Sequence, residues 1–308
     1  MSETSRHAAT ANGPVSQLKL FVRTMRLKQW TKNVFVWAAL VFDVKLFQQE
    51  PFIRTLVTFI LFCLISSEVY VINDLVDIEK DRQHPTKCNR PLASGALRKN
   101  VAIGGAALIV LASLPVALWL DRGLLPILYG YLGLMVAYSF WLKNIVIVDV
   151  FTIAAGFVLR VAAGVVVVQT ERFSPWLYVC MVLLALFLAI GKRRQEIVLL
   201  EGNDGNTRRI LEEYNLRFLD EMLALVSAST VIAYSLYTFS APNLPPNHTM
   251  MLTVPFVLYG LFRYLYLIHV KGETEPPDVV VLKDRPLQID VMLFGLVVFV
   301  IFYVLRAA

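Results

Sequence analysis

Asn73-Asp74-Leu75-Val76-Asp77-Ile78-Glu79-Lys80-Asp81 closes an apolar stretch that begins near residue 55, and its spacing decides how the rest of the chain is read. Asn73, Asp77 and Asp81 are four apart, so on a helix they fall along one face with modest angular drift. Oxygen-bearing side chains stacked on one stripe repel each other and would destabilise an isolated helix. A hard divalent cation removes that conflict, and Mg²⁺ held by a few carboxylates shares its remaining positions with substrate phosphates. Because the stretch lies where an apolar run meets a basic loop, it reads as a metal–diphosphate site at a membrane surface.

The surrounding chain has the composition of a membrane protein. Of its 308 residues, 57% are hydrophobic and only 17% charged, and the mean hydropathy is +0.62. Soluble domains of this length are markedly more polar, so an all-α polytopic membrane fold is expected. Apolar runs of membrane length fall at about 33–49, 55–78, 101–120, 124–142, 145–168, 174–191, 221–240, 250–270 and 287–306. They predict nine transmembrane helices, the first being the weakest because Asp43 and Lys45 interrupt its far end. Residues 1–22 are expected to be a flexible polar segment, with no apolar h-region of a cleavable signal peptide in 1–17. Residues 23–308 are expected to form one transmembrane catalytic domain with loops at about 79–100, 192–220 and 271–286. Cys63, Cys88 and Cys180 have no metal-ligand spacing, and the four histidines are scattered. Neither a disulfide framework nor a zinc centre is supported.

Lys and Arg are unevenly distributed. The N-terminal segment and the loops following the even-numbered spans hold 22 of the 29, whereas the opposite side carries Lys45, Arg54, Arg122 and Arg172. Positive-inside reasoning puts the N-terminus in the cytoplasm and the basic loops, with the site, on the cytoplasmic face of the inner (plasma) membrane. The net charge of +6 is then a cytoplasmic feature. Anionic membrane lipids account for part of it. Nucleic acid is a poor partner, since no basic region stands apart from the membrane and no aromatic stacking motif accompanies it.

The aspartate stretch continues as Asp81-Arg82-Gln83-His84-Pro85-Thr86-Lys87-Cys88-Asn89-Arg90-Pro91. Carboxylates for a metal, followed at once by Arg82, Lys87 and Arg90, suit a Mg²⁺-diphosphate whose charge the cation only partly neutralises. The plain alternative is a solvated loop after a span, but Asn73, Asp74 and Asp77 lie too deep for ordinary surface groups, and intramembrane carboxylates usually line a cavity. The loop after the sixth run opens Gly191-Lys192-Arg193-Arg194-Gln195-Glu196. Three adjacent cations at a helix end suit direct phosphate binding, while a stop-transfer cluster with Glu196 pairing Lys192 would look the same. A short amphipathic helix is expected near 207–219. Asp149 and Arg160 lie on one side of the fifth run, either as buried structural ion pairs or as part of a lipid-phosphate site. Lys143 is either a diphosphate contact or a snorkelling lysine.

Asn73–Asp81 resembles the N-D-x-x-D-x-x-x-D first motif of the UbiA-type intramembrane prenyltransferases. The resemblance implies nine transmembrane helices around a central cavity, with Asn73, Asp77 and Asp81 as ligands of a Mg²⁺-diphosphate and Asp74 a close accessory. Members that prenylate aromatic acceptors carry a second aspartate-rich motif in the loop that here begins at Gly191, where this chain is basic. Further stretches resemble the polyprenyl-phosphate phosphoribosyltransferase branch. They are Arg26-Leu27-Lys28-Gln29-Trp30-Thr31-Lys32-Asn33, with Leu27 in place of a proline, then His84-Pro85-Thr86-Lys87 with Arg90-Pro91, and Gly191-Lys192-Arg193 with Glu196. Leu211-Glu212-Glu213-Tyr214, Pro277-Asp278-Val279 and Asp284-Arg285 with Gln288 complete the likeness.

On that resemblance the expected substrates are phosphoribosyl diphosphate and a polyprenyl phosphate. The substrate-contacting candidates are Lys28, Lys32, Asn33, Arg82, Lys87, Arg90, Lys143, Asp149, Arg160, Lys192, Arg193, Glu196, Tyr214, Asp284 and Arg285. The resemblance also points to a homo-oligomer, with a trimer as its candidate stoichiometry. An already anionic lipid phosphate needs no general base, which agrees with the lack of a His or Cys catalyst. The alternatives are an aromatic prenyltransferase of quinone or haem biosynthesis and a transporter. The missing second motif weighs against the first, and the absence of paired Gly/Pro-broken helices against the second.

Overall fold

The computed structural model describes residues 13–84, 87–170, 174–200, 213–241, 244–245, 247–275 and 277–305, and every regular element among them is helical. Seven helices are long and apolar enough to cross a membrane: Gln49–Val76, Lys99–Leu120, Val148–Val168, Pro175–Leu199, Leu216–Ser240, Thr249–His269 and Arg285–Leu305. An eighth apolar helix, Leu124–Phe140, has 17 residues. The first expected span, 33–49, is not one helix. Leu27–Trp37 winds as a 3₁₀ helix, Ala38–Phe42 is a five-residue α-helix, and the chain turns before Gln49. The turn comes where Asp43 and Lys45 end the apolar run, with Val44 in the left-handed region (φ 57°). Nine expected helices thus become seven long spans and a shorter eighth among the described residues.

The helices are numbered α1 (Pro14–Thr24), α2 (Ala38–Phe42), α3 (Gln49–Val76), α4 (Ile78–Arg82), α5 (Lys99–Leu120), α6 (Leu124–Phe140), α7 (Val148–Val168), α8 (Pro175–Leu200), α9 (Leu216–Ser240), α10 (Val254–His269), α11 (Pro277–Lys283) and α12 (Arg285–Phe299). They pack as two units. The first comprises the chain up to Val41, Lys45–Phe140 and Leu159–Gln169; the second comprises Phe42–Val44, Trp141–Val158 and everything from Thr170 on.

In the first unit α3 is the central element, packed against α1, the 3₁₀ tract, α5 and α6. A 3₁₀ helix repeats every three residues, so Trp30, Asn33 and Val36 eclipse on one line. That line faces α3: Trp30 Nε1 donates to Ser67 Oγ (3.0 Å), and Asn33 Nδ2 donates to Ser66 Oγ (3.2 Å) and Cys63 Sγ (3.3 Å). Runs beyond three or four residues are uncommon for this helix type; here the eleven residues are held by tertiary contacts at each eclipsed position. Gly164 of α7 belongs to the same packing. A Cβ there would lie 2.2 Å from the Val36 carbonyl oxygen, so only glycine permits this approach of the two backbones.

The segment expected to be flexible at 1–22 is helical from Pro14, with 1–12 outside the described residues. Proline at the first helical position starts α1. Gln17 then fixes it: its Nε2 donates to the Ala96 carbonyl (2.8 Å) and its Oε1 accepts from the Arg98 N–H (3.0 Å). Leu92 and Leu97 of the following loop are buried with Phe21, Met25, Val71 and Ile78. The loop beside the aspartate motif is therefore packed structure rather than a linker.

In the second unit α8 and α9 lie along each other, with Ile190, Leu219 and Leu223 in the core and Phe187 edge-on to Tyr264 at 5.0 Å. A Cβ on Gly191 would meet the Tyr264 hydroxyl at 2.6 Å and Pro277 at 2.9 Å, so the glycine before the basic run is a packing requirement. The amphipathic helix expected near 207–219 lies outside the described residues up to 212; from Leu216 the chain already belongs to α9.

Candidate active site

The aspartate motif sits at the C-terminal end of α3, where the helix breaks and resumes. Asp77 has left helical geometry (φ −89°, ψ 11°). The ladder nevertheless continues through it, because Asp77 N–H donates to the Asn73 carbonyl (2.9 Å) and Asp81 N–H to the Asp77 carbonyl (2.7 Å). The four-residue register expected for Asn73, Asp77 and Asp81 is kept across the break.

The carboxylates divide into two kinds. Asp74 is buried, and its Oδ1 accepts from Arg26 (2.6 Å) and from Arg90 Nη1 (3.2 Å). The same Arg90 Nη1 donates to Oδ2 of buried Asp81 at 2.7 Å. Arg90 therefore bridges two motif carboxylates, and Arg26 lies over the Tyr70 ring at 4.8 Å. Asn73 and Asp77 are only half-buried, and neither side chain has a hydrogen-bond partner among the described residues. No three His, Cys, Asp or Glu side chains among the described residues are grouped to hold a metal. The donor set that does fit Mg²⁺ is all oxygen, as that cation requires, with the Asn73 amide and Asp77 carboxylate open and Asp81 shared with Arg90 through one oxygen.

The remaining candidates fall in separate places. Arg82 is bonded to Glu79 (2.8 Å) and to the Ala93 carbonyl (3.1 Å), which stabilises the loop. Lys87 is half-buried and Lys28 is exposed; Lys32 is half-buried. Pro85 and Thr86 lie outside the described residues. Asn33 is fully buried and accepts from Arg160 Nε at 2.7 Å, while Arg160 Nη2 donates to the Tyr131 hydroxyl at 2.8 Å. Arg160 is thus hydrogen-bonded to two neutral side chains in the buried interior of the first unit.

In the second unit Arg193 is 1% exposed and paired with Asp149 and Glu196. Arg193 was expected to bind phosphate directly; in this fold low-dielectric burial demands paired charge for it, and both acids supply it. Glu196 accepts from Arg193 Nη1 within α8. The other oxygen of Asp149 accepts from the Tyr214 hydroxyl (2.7 Å), which in turn accepts from the Ile147 N–H (2.7 Å). Burial, and then the bond to Asp149, push the Tyr214 phenol well above its ordinary value. Arg194 is held by Asp220 at 2.6 Å, and Lys192 is exposed while Lys143 is half-buried. Asp284 is the N-cap of α12, accepting from the Leu287 N–H (3.0 Å), and binds Arg263 through both oxygens (2.9 and 3.2 Å). Its carboxyl is held below the usual range, chiefly by Arg263. Arg285 is exposed.

Arg23, Tyr131 and Arg263 were not among the sequence candidates, and Arg26 was read only as part of a resemblance. Their partners lie up to 48 residues away in the chain for Arg26 and 21 for Arg263, and no local spacing signals such pairs.

Residues 34–279 match the UbiA prenyltransferase family. The chain is 32% identical over 304 residues to a decaprenyl-phosphate phosphoribosyltransferase of Mycolicibacterium smegmatis, covering 94% of this chain and 93% of that one. It is also 32% identical over 276 residues to the Corynebacterium glutamicum protein of the same name, covering 87% of this chain and 82% of that one. A UbiA homolog from Archaeoglobus fulgidus, solved bound to GPP and Mg²⁺, superposes with a TM-score of 0.68 at 18% identity, covering 92% of this chain and all of that one. This chain belongs to the UbiA prenyltransferase family and is a multi-pass membrane transferase.

Proposed function

We propose that the protein transfers 5-phosphoribose from phosphoribosyl diphosphate to a polyprenyl phosphate of the decaprenyl-phosphate type, with Mg²⁺, at the cytoplasmic face of the inner membrane. The C1–O bond to the diphosphate breaks, a lipid-phosphate oxygen bonds C1 from the opposite face, and diphosphate leaves. The nucleophile is already anionic, so no side chain has to remove a proton.

Asn73, Asp77 and Asp81 would hold the Mg²⁺, which supplies charge neutralisation for the diphosphate leaving group. Asp74 and Asp81 orient Arg90, and Asp74 orients Arg26, so that two guanidiniums stand fixed beside the motif. Fixed cations that need no reorganisation are suited to bringing together two phosphate-bearing substrates that repel each other. Lys28 and Lys87 are the nearest further cations in sequence to these arginines, and they would add to the field.

One observation carries this reading over transfer of a prenyl group from its diphosphate to an aromatic acid. Asp149 of α7 and Glu196 near the end of α8 are both paired with Arg193, and the sequence that follows α8 carries no second aspartate motif to share a second metal. The relatives named as decaprenyl-phosphate phosphoribosyltransferases support the same choice. The test is incubation of purified protein with radiolabelled phosphoribosyl diphosphate, Mg²⁺ and a polyprenyl phosphate. Labelled lipid is expected. Its absence, together with consumption of a prenyl diphosphate in the presence of an aromatic acid, would transfer the assignment to the other reaction.

A further inference from the structure

Beside the motif, within the first unit, lies a cavity of about 210 Å³ lined by Arg23, Thr24, Arg26, Asp74, Asn89, Arg90 and Pro91. That is many times the roughly 10–15 Å³ that admits one water. The larger cavity, about 370 Å³, is lined by Gln49, Glu50 and Arg54 at the opposite end of α3, about 30 Å away at 1.5 Å per residue, and has no part in this site.

Three arginines line this cavity, and two of them, Arg26 and Arg90, share the single carboxylate of Asp74. Each arginine carries five N–H donors and no acceptor. Arg26 and Arg90 share one oxygen of Asp74, Arg90 takes one more from Asp81, and the Arg23 guanidinium makes no hydrogen bond or ion pair among the described residues. Most of the donors around the cavity are therefore left without an acceptor, and an anion with several oxygens would complete them. Arg26 also holds a left-handed backbone (φ 53°), a conformation a side-chain-bearing residue rarely adopts, and it is fixed there by Asp74 and Tyr70. Its side chain is thereby kept at the cavity wall.

We propose that this cavity, formed by Arg23, Arg26, Asn89 and Arg90, binds the phosphomonoester of a substrate, and that Asp74 is a positioning residue which aims Arg26 and Arg90 at it. The inference rests on the phosphoribosyl-transfer reading above, in which each substrate carries one phosphomonoester: the 5-phosphate of the sugar donor and the phosphate of the lipid. The surroundings favour the lipid. Arg23 lies in the last turn of α1, whose exposed stripe Val15, Leu18 and Val22 leads along the helix to the cavity, with exposed Leu27 beyond it. A hydrocarbon tail can use such a stripe, whereas a soluble sugar phosphate cannot.

The test is steady-state transfer by the full-length protein in nanodiscs, varying each substrate in turn for wild type, Arg23→Gln and Arg26→Lys. Arg23 holds up no buried partner, so Arg23→Gln leaves the fold intact, which unchanged thermal unfolding verifies. A rise of about tenfold or more in KM for the lipid phosphate, with kcat and donor KM within about threefold, is expected. A rise confined to the donor KM keeps the phosphomonoester site but assigns it to the sugar 5-phosphate. Unchanged KM for both substrates overturns the proposal. If the wild type transfers no phosphoribose at all, ³¹P NMR titration with farnesyl phosphate and with ribose 5-phosphate still decides. Binding of either that Arg23→Gln weakens tenfold supports the site independently of the reaction, and equal binding by both proteins rejects it.

Discussion

Arg160 donates a 2.7 Å hydrogen bond to Asn33, 127 residues earlier in the chain, in the buried interior of the first unit. Asn33 turns its amide to Ser66 and Cys63 of α3 and its oxygen to Arg160, so one side chain joins the 3₁₀ tract, α3 and α7. Asn33→Ala leaves a buried guanidinium short of an acceptor and should cost about 1.5–3 kcal/mol. Thermal unfolding in detergent measures it. Arg160→Met combined with Asn33→Ala should cost less than the two changes summed, since the second no longer strands a charge.

Asp77 and Asp74 are three residues apart and predict opposite signatures. Asp77 has no side-chain partner among the described residues, so Asp77→Ala should change stability by less than about 0.5 kcal/mol while abolishing turnover. Asp74→Ala frees Arg26 and leaves Arg90 with Asp81 alone, and should destabilise by about 1–3 kcal/mol as well as lowering activity. A Mg²⁺ titration of turnover separates them: residual activity in the Asp74 variant should keep the wild-type metal dependence. Full activity of Asp77→Ala would remove the metal assignment.

Glu68 is fully buried in α3, and neither carboxyl oxygen has a partner among the described residues. Its nearest same-face residues on the helix are Leu64, Ile65, Val71 and Ile72. An unpaired polar group in such surroundings costs stability, so Glu68→Leu should raise it by about 1–3 kcal/mol. A shift of the unfolding midpoint upward is the expected reading, and a clear drop would mean the carboxyl has a partner that the pairing pattern omits.

Asp284 supplies a pH dependence whose sign follows from its lowered carboxyl. A depressed carboxyl favours the folded state above its unfolded value, about 3.9, and the contribution disappears as pH falls through the lower folded value. The Arg263–Asp284 tie and the α12 cap should therefore hold at neutral pH and fail only below about pH 4. Tyr214 acts at the other limit. A phenol raised in the fold contributes fully below about pH 10 and loses that contribution as pH climbs past it. Asp284→Asn should flatten the acid limb of an unfolding-versus-pH curve, and Tyr214→Phe the alkaline one.

Much of this architecture was legible in the sequence because apolar length is a local signal: seven runs became long helices almost where they were expected. The first run was misjudged, although Asp43 and Lys45 stood in it as a warning. Whether a short apolar segment winds as α or 3₁₀ depends on what it packs against, here α3 and Gly164. The aspartate register was readable from spacing alone. The charge partners were not. Arg193 looks like a free cation until Asp149, 44 residues earlier, is seen beside it, and Arg90 looks like a free phosphate ligand until Asp74 and Asp81 are seen to share it. Pairing across the fold is decided by packing, which one sequence does not display.

The 28 residues of α3 span about 42 Å, roughly 12 Å more than a typical hydrocarbon core of about 30 Å. Its apolar portion, Thr55–Ile72, broken only by the buried Glu68, runs about 27 Å and stops at Asn73. Hydrophobic matching of this portion to the bilayer therefore bears on the depth of the aspartates, beside the ties of Asp74 and Asp81 to Arg26 and Arg90. A thicker bilayer would draw them toward the acyl chains or tilt the helix to spare them. Turnover in vesicles of graded acyl length should accordingly peak at one thickness and fall on both sides of it.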